Sequence, residues 1–331
     1  MPGNIQTSQI KILLLGFGGI GIRHATVLLK KYESFLAIVD PCIQEERLKQ
    51  IAEYKGRYEI FSSMEKINDV HEYDLAVIAC NTHYHHDVLI ELSSKKFTGK
   101  ILVEKPLSAY PDKLKDLSFG SNQVMINYCR RYHVPYQRIK EHYKDSPDSI
   151  KSIVIACGCG GFFMLVSHYL DLISYITGDF SIYPVYSNLK QLAYENVRGS
   201  DFKDFAGTVL FQSQKSDLRI FVDCSNDLGI PPHLRFQGGK EVIEFSEVDG
   251  LLTFYKRGDN VMNEPLSRYI HPLLKTDGDI DEIKLPFLLE KAYEDLMGSF
   301  SIGCTWEQGL TNVNIMLQAL PLQEHKDLIL A

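Results

Sequence analysis

No apolar run in this chain approaches the roughly 20 residues that a membrane-spanning helix needs, so no spanning segment is expected. The opening stretch MPGNIQTSQ lacks the basic region that begins a secretory signal, and a cytoplasmic protein is the expectation. Lysines and arginines nowhere form the cluster that grips a phosphate backbone, and the formal net charge is −7. Neither nucleic acid nor a membrane is therefore an expected partner. Cysteine is sparse and odd in number: seven residues, of which only Cys157 and Cys159 stand close together. One residue between them suits neither the redox C-x-x-C spacing nor the usual zinc spacings, so reduced and mostly buried thiols are expected. The chain also lacks internal repeats, low-complexity tracts and an obvious linker.

What is present points to two folded domains, since 331 residues exceed one typical core of roughly 100–200 residues. Over the first part, continuous apolar runs (IKILLLG at 10–16, FLAIVD at 35–40, LAVIAC at 75–80, KILVEK at 100–105) alternate with helix-like segments at 20–30, 43–54, 83–94 and 110–117. Runs of that kind suit parallel strands buried on both faces, and the alternation predicts a doubly wound Rossmann sheet with NQVMIN (122–127) as its sixth strand. After residue 128 the texture changes. An amphipathic helix (134–145), a long strand at 148–161 and a helix at 165–177 precede period-2 segments GTVLFQS, LRIFVDCS, HLRFQGG, EVIEFSE and LLTFYKR. These predict an α+β domain with an open, mainly antiparallel sheet. The expected division is a nucleotide domain over 1–128 and a substrate and oligomerisation domain over 129–331.

The pattern G-x-G-x-x-G runs from Gly16 through Phe17, Gly18, Gly19 and Ile20 to Gly21. It directly follows a buried strand and opens a helix, which is the context a dinucleotide needs. Gly16 turns tightly, Gly18 lets backbone approach a pyrophosphate, and Gly21 lets helix and strand touch. The helix start then presents free N–H groups and the positive end of its dipole. Asp40 ends the second apolar run, 19 residues beyond Gly21. There it can accept hydrogen bonds from the adenosine ribose and repel a 2′-phosphate, which predicts NAD(H) in preference to NADP(H). Alternatively it caps the turn before Pro41.

Ligands of such sheets lie beyond the carboxyl ends of the strands. That rule turns Cys80, Asn81, Thr82 and His85 in CNTHYHH, with Glu104 and Lys105 in EKP, toward the cofactor, and Asn127 joins them. His83, His85 and His86 form a local histidine group without a distant third ligand, so a polar helix start is preferred to a metal site. Lys105 follows a buried strand without a spacer. It is either a solvated strand end or the reacting group at the mouth of the crevice.

The fingerprint with Asp40, ACNTHYHHDVLIEL (79–92), VEKPLS (103–108), NYCRRYHVPY (127–136) and VSHYLDLISYITG (166–178) together resemble the Gfo/Idh/MocA family of sugar and cyclitol oxidoreductases. The resemblance implies hydride transfer between NAD(H) and a secondary alcohol or ketone of a sugar-like substrate. It implies Lys105 and His168 as catalytic residues, both contacting substrate, with Arg131 as a further substrate contact. Glu104 is expected to hold Lys105 in place. Basic residues such as Arg130, Arg131 and Arg235 admit a nucleotide-activated or amino sugar. One departure is Met164, where many active members carry an aspartate four residues before the histidine. Asp171 either orients the His168 imidazole or serves structure, the second being preferred. A non-catalytic NAD-dependent sensor, or a reductase of a non-sugar C=N or C=C bond, is the alternative. The open sheet face, rich in aromatic and β-branched residues, is expected to be covered by another subunit in a homodimer or homotetramer.

Overall fold

The computed structural model describes residues 9–108, 110–120, 123–146, 149–158, 161–192, 203–227, 229, 231–239, 241–256, 272–277 and 285–321. The chain forms two compact units, one of residues 1–129 with 285–306 and the other of 130–284 with 307–331.

In the first unit, β1 (Ile10–Leu15), β2 (Ser34–Val39), β3 (Tyr58–Phe61), β4 (Leu75–Ile78), β5 (Lys100–Val103) and β6 (Val124–Ile126) pair in parallel, in the order β6-β5-β4-β1-β2-β3. Ile12, Leu13 and Leu14 of β1, Ala76, Val77 and Ile78 of β4, and Ile101, Leu102 and Val103 of β5 are fully buried. Burial on both faces is why these strands read as unbroken apolar runs. Helix α1 (Gly19–Lys31) turns Ile22, Ala25, Leu28 and Leu29 inward at helical spacing. The order of strands reverses between β1 and β4, the switch point at which doubly wound sheets bind ligands.

Three expectations here need correction. The helix read over 43–54 is one α turn, α2 (Glu45–Leu48), continued as a 3₁₀ stretch, Lys49–Tyr54. The segment 110–117 holds only a 3₁₀ turn, Pro111–Leu114, while α3 (Thr82–Ser94) matches its expected span. The third correction concerns residues 285–306, expected in the second domain, which pack with the first. Strand pairing and a buried polar contact hold them there: Cys304 and Thr305 pair antiparallel with Ile126 and Met125, and Tyr293 meets His24 of α1.

The second unit begins with α4 (Val134–Tyr143) and β7 (Ile150–Ala156), then passes through a π-helical turn, Phe162–Val166, into α5 (Ser167–Thr177). Strands β8 (Ile182–Gln191), β9 (Phe205–Ser213), β10 (Arg219–Asp223), β11 (His233–Gly238), β12 (Glu241–Ser246), β13 (Leu251–Lys256) and β14 (Pro272–Asp277) complete it. The order is β14-β13-β12-β11-β7-β10-β9-β8, antiparallel except where β7 and β10 run parallel. Alternation sets two faces. Ile153, Ile220, Phe211, Phe236 and Ile243 are buried on one, where Tyr136 of α4 meets Phe245 with ring centroids 5.0 Å apart. On the other, Val154, Phe221, Leu210 and Tyr186 lie in one cross-strand row, with Val154, Phe221 and Tyr186 exposed. The chain continues from α6 (Leu285–Met297) through β15 (Cys304–Thr305), both of the first unit, into α7 (Trp306–Gln318). Of the seven cysteines, six lie among the described residues and none of those six is in a disulfide. Cys159 lies outside them.

Candidate functional site

The strand order brings the glycine loop, Cys80–Thr82, Glu104–Lys105 and Asn127 to one edge of the first sheet. Backbone bonds extend the ladder past each strand: Ala79 N–H donates to Leu15 O at 2.8 Å, Glu104 N–H to Ile78 O at 2.9 Å and Asn127 N–H to Val103 O at 2.8 Å. At the loop, Gly16 has φ +102°, and a Cβ there would stand 2.5 Å from the Cys80 nitrogen. A Cβ on Gly21 would stand 2.2 Å from Gly16 O, so only glycine lets helix and turn touch. Gly18 and Gly19 face open space, with nothing within 4 Å of an added Cβ. Gly18 is the N-cap of α1, no side chain caps that end, and the first intrahelical bond runs from Ile22 N–H to Gly18 O. The N–H groups of the first turn thus adjoin an open glycine cradle, and these residues fit a dinucleotide phosphate.

Asp40 binds the loop from the next strand. One carboxylate oxygen accepts from Phe17 N–H at 2.7 Å and the other from Cys42 N–H at 2.8 Å. Phe17 meets the crevice through its backbone, for its ring is fully buried. Arg47 of α2, which the sequence reading passed over, donates to Phe17 O at 3.3 Å. Its signal was a basic residue just past the acid of the second strand.

Behind Lys105 lies a buried polar chain. Glu104 Oε1 accepts from His24 Nε2 at 2.8 Å and from Asn127 Nδ2 at 2.6 Å, and Oε2 accepts from Lys105 N–H at 3.3 Å. Nδ1 of His24 meets the Tyr293 hydroxyl of α6. Burial raises the Glu104 pKa, but the His24 and Asn127 hydrogen bonds and the Lys105 charge outweigh it, and the net direction is downward. Glu104 is therefore held ionised and committed to its neighbours. Lys105 is 9% exposed, so the solvated strand end does not describe it, and its peptide bond to Pro106 is cis.

His85 does not face the cofactor as expected. Its ring is fully buried, with Nδ1 at 3.1 Å from Pro106 O and 3.2 Å from Leu107 O, and Nε2 at 3.0 Å from Cys80 O. It ties the start of α3 to the EKP loop, and burial lowers its pKa. Asn81 is exposed as the N-cap of α3, Thr82 begins the helix and is buried, and Cys80 is partly exposed with its thiol pushed up to about 12 by burial. His83 and His86 pack with Tyr110: His83 Nδ1 lies 3.3 Å from the Tyr110 hydroxyl, the His86 and Tyr110 ring centroids are 5.2 Å apart, and His86 Nε2 lies 3.1 Å from Asp87 Oδ1.

His168 and Arg131 belong to the second unit. His168 is the second residue of α5 and is 9% exposed. Arg131, expected at the substrate, is buried and committed to structure. It donates to both oxygens of Asp171 at 2.8 and 2.7 Å and to Gln308 Oε1 at 3.0 Å. Asp171 thus takes the preferred structural role, and the pair pins α5. Arg130 makes a similar fork onto Glu247, which also accepts from the Tyr136 and Tyr169 hydroxyls. Burial pushes the Glu247 carboxyl up and the Arg130 charge more than reverses this, while burial lowers His133 beside it to about 4. Met164, in the π turn, donates its N–H to Asp204 at 3.1 Å.

A family model described as an oxidoreductase family with an NAD-binding Rossmann fold matches residues 10–119. A search of curated proteins finds no match. Three solved structures are similar in fold across nearly the whole chain. UDP-N-acetylglucosamine 3-dehydrogenase from Acidithiobacillus ferrooxidans is 15% identical, with 94% of this chain and 96% of that one covered at a TM-score of 0.64. A myo-inositol dehydrogenase from Corynebacterium glutamicum is 18% identical, with 94% and 95% covered at 0.63. The super-repressor mutant of Gal80p from Saccharomyces cerevisiae is 15% identical, with 89% and 86% covered at 0.66. At such identities the likeness is one of fold.

Proposed function

We propose, from the match of residues 10–119 to the Gfo/Idh/MocA oxidoreductase family model, that the chain transfers hydride between NAD(H) and a secondary alcohol or ketone of a sugar-like substrate. The observation that carries this reading is the placing of Lys105, buried and backed by an ionised Glu104, on the sheet edge that holds the open glycine cradle. NAD(H), when bound, supplies or accepts the hydride. The chain's own residues do the rest. The N–H groups at the start of α1 hold the diphosphate and Asp40 holds the ribose. The Lys105 ammonium faces the substrate oxygen that gains negative charge as a ketone is reduced, and handles that oxygen's proton. Glu104 fixes the backbone from which Lys105 projects. His168 is kept as a second proton-handling group on the family resemblance alone, and Arg131 leaves the substrate set.

The test is Lys105→Met, which keeps the apolar stem and removes the charge. With a substrate that turns over, the rate should fall about a hundredfold or more, while NADH affinity stays within a few-fold of the parent. Unchanged turnover would remove Lys105 from the chemistry.

A sensor that binds NAD(H) without turning it over is the second reading. It draws on Met164 in place of a carboxylate and on the fold shared with Gal80p. A panel of sugars, nucleotide sugars, amino sugars and imines offered to bound NADH separates the two, since no oxidation with any of them favours the sensor.

A further inference from the structure

Resting on the reading of the first unit as an NAD(H) site, one of that unit's unpartnered buried polar atoms stands out because it sits beside Glu104 and Lys105. Among the described residues, Asn127 Oδ1 is a buried acceptor without a hydrogen-bond partner, on a side chain only 3% exposed. The amide cannot turn over to relieve it. A carboxylate only accepts, so the atom 2.6 Å from Glu104 Oε1 is Nδ2, and reversing the amide would set oxygen against oxygen. Glu104 is itself fixed by His24, and His24 by Tyr293, so three side chains from three elements hold the direction in which Oδ1 points. A buried acceptor held this firmly without a donor is unfavourable until a donor arrives.

The strand order says which part of a dinucleotide arrives there. Asp40 ends β2, the glycine loop follows β1, and the sheet continues through β4 and β5 to β6, which ends at Asn127. Three strand spacings separate the glycine loop from Asn127, on the order of 14 Å, on the side away from the ribose-binding acid. That is the nicotinamide end of an extended dinucleotide. The strong N–H donor at that end is the primary amide of the carboxamide.

We propose that Asn127 recognises the nicotinamide carboxamide, its Oδ1 accepting one of the amide hydrogens, and that the chain Tyr293–His24–Glu104 is the device that orients it. Asn127 is thus a determinant of which face and which substituent the ring presents beside Lys105, and α6 takes part in cofactor recognition through Tyr293.

The experiment compares three ligands by calorimetric titration: NADH, the reduced 3-acetylpyridine analogue in which a methyl group replaces the amide nitrogen, and ADP-ribose, which has no ring. The parent should bind NADH about tenfold or more tightly than the acetylpyridine analogue. Asn127→Ala should lose that preference and weaken NADH by a similar factor, with ADP-ribose unchanged within about twofold. Tyr293→Phe should reduce the preference in the same direction. The proposal is overturned if the parent binds both ring-bearing ligands equally, and this needs no variant to fold. It is also overturned if Asn127→Ala keeps the preference while the KM for substrate rises, which would give Oδ1 to a substrate hydroxyl. A parent that binds neither NADH nor ADP-ribose would overturn the dinucleotide reading as well. Binding of both without discrimination would overturn this proposal alone.

Discussion

Asp40 shows how one side chain serves turn and ligand together. Its oxygens cap the backbone of Phe17 and Cys42, yet each retains a second lone pair for a ribose hydroxyl. The two readings of this acid in the sequence are therefore not rivals. Its charge disfavours a 2′-phosphate, while Arg47, within reach of the same loop, is the kind of residue that welcomes one. The parent should bind NADH more tightly than NADPH. Asp40→Ser, which supplies a hydroxyl as acceptor and removes the charge, should shift the affinity ratio toward NADPH by about tenfold or more, measured by fluorescence titration of both cofactors. An unchanged ratio would mean that Asp40 does not face the ribose. At this scale the sequence was most legible where function is contiguous, as in the glycine loop and EKP. It was silent on His24, whose partners Glu104 and Tyr293 are 80 and 269 positions away. It misplaced His85 because a strand end shows which loop faces the crevice but not which way each side chain turns.

At the scale of elements, the segment that leads into α5 depends on a carboxylate from another strand. Asp204, just before β9, accepts from Phe163 and Met164 N–H at 2.7 and 3.1 Å and from Phe205 N–H at 2.8 Å. Gly161 precedes the turn at φ +73°, where a Cβ would lie 2.1 Å from Asp204 Oδ2, so this glycine lets the acid approach. Removing the acid leaves three backbone donors without it in a buried place. Asp204→Ala should cost about 2 kcal/mol or more in urea unfolding. A loss under about 0.5 kcal/mol would show that the turn holds without its cap. The helix itself was readable from its apolar spacing, but the cap was not, because it lies 40 positions on from Met164. Strands β3 and β8 were missed for a related reason. β3 is an edge strand with half-exposed residues, and β8 is an edge strand, largely exposed and interrupted by Pro184, so neither shows a clean buried run or strict alternation.

At the scale of the molecule, the second sheet leaves Val154, Phe221 and Tyr186 exposed in one row with Leu210. An apolar row running from the middle of a sheet face to its edge strand β8 is what a second copy would cover. Phe221→Asp should convert a homodimer or homotetramer to monomer in light scattering at micromolar concentration, and a parent already monomeric would remove this expectation. The two-domain plan and both sheet types were legible in the texture of the sequence. The return of residues 285–306 to the first unit was not, since β15 contributes two paired residues and α6 carries no mark of its destination. The central claim, a dinucleotide at the glycine cradle, has a direct test in Gly18→Asp. Gly18 has φ −75°, open to any residue, and a Cβ there meets nothing within 4 Å, so the variant should fold and melt with the parent. Its carboxylate would stand where the diphosphate binds. Titration of NADH by calorimetry should give one site per chain in the parent and at least a hundredfold weaker binding, about 2.7 kcal/mol, in the variant. Equal binding by the two proteins, or none by the parent, would contradict the account.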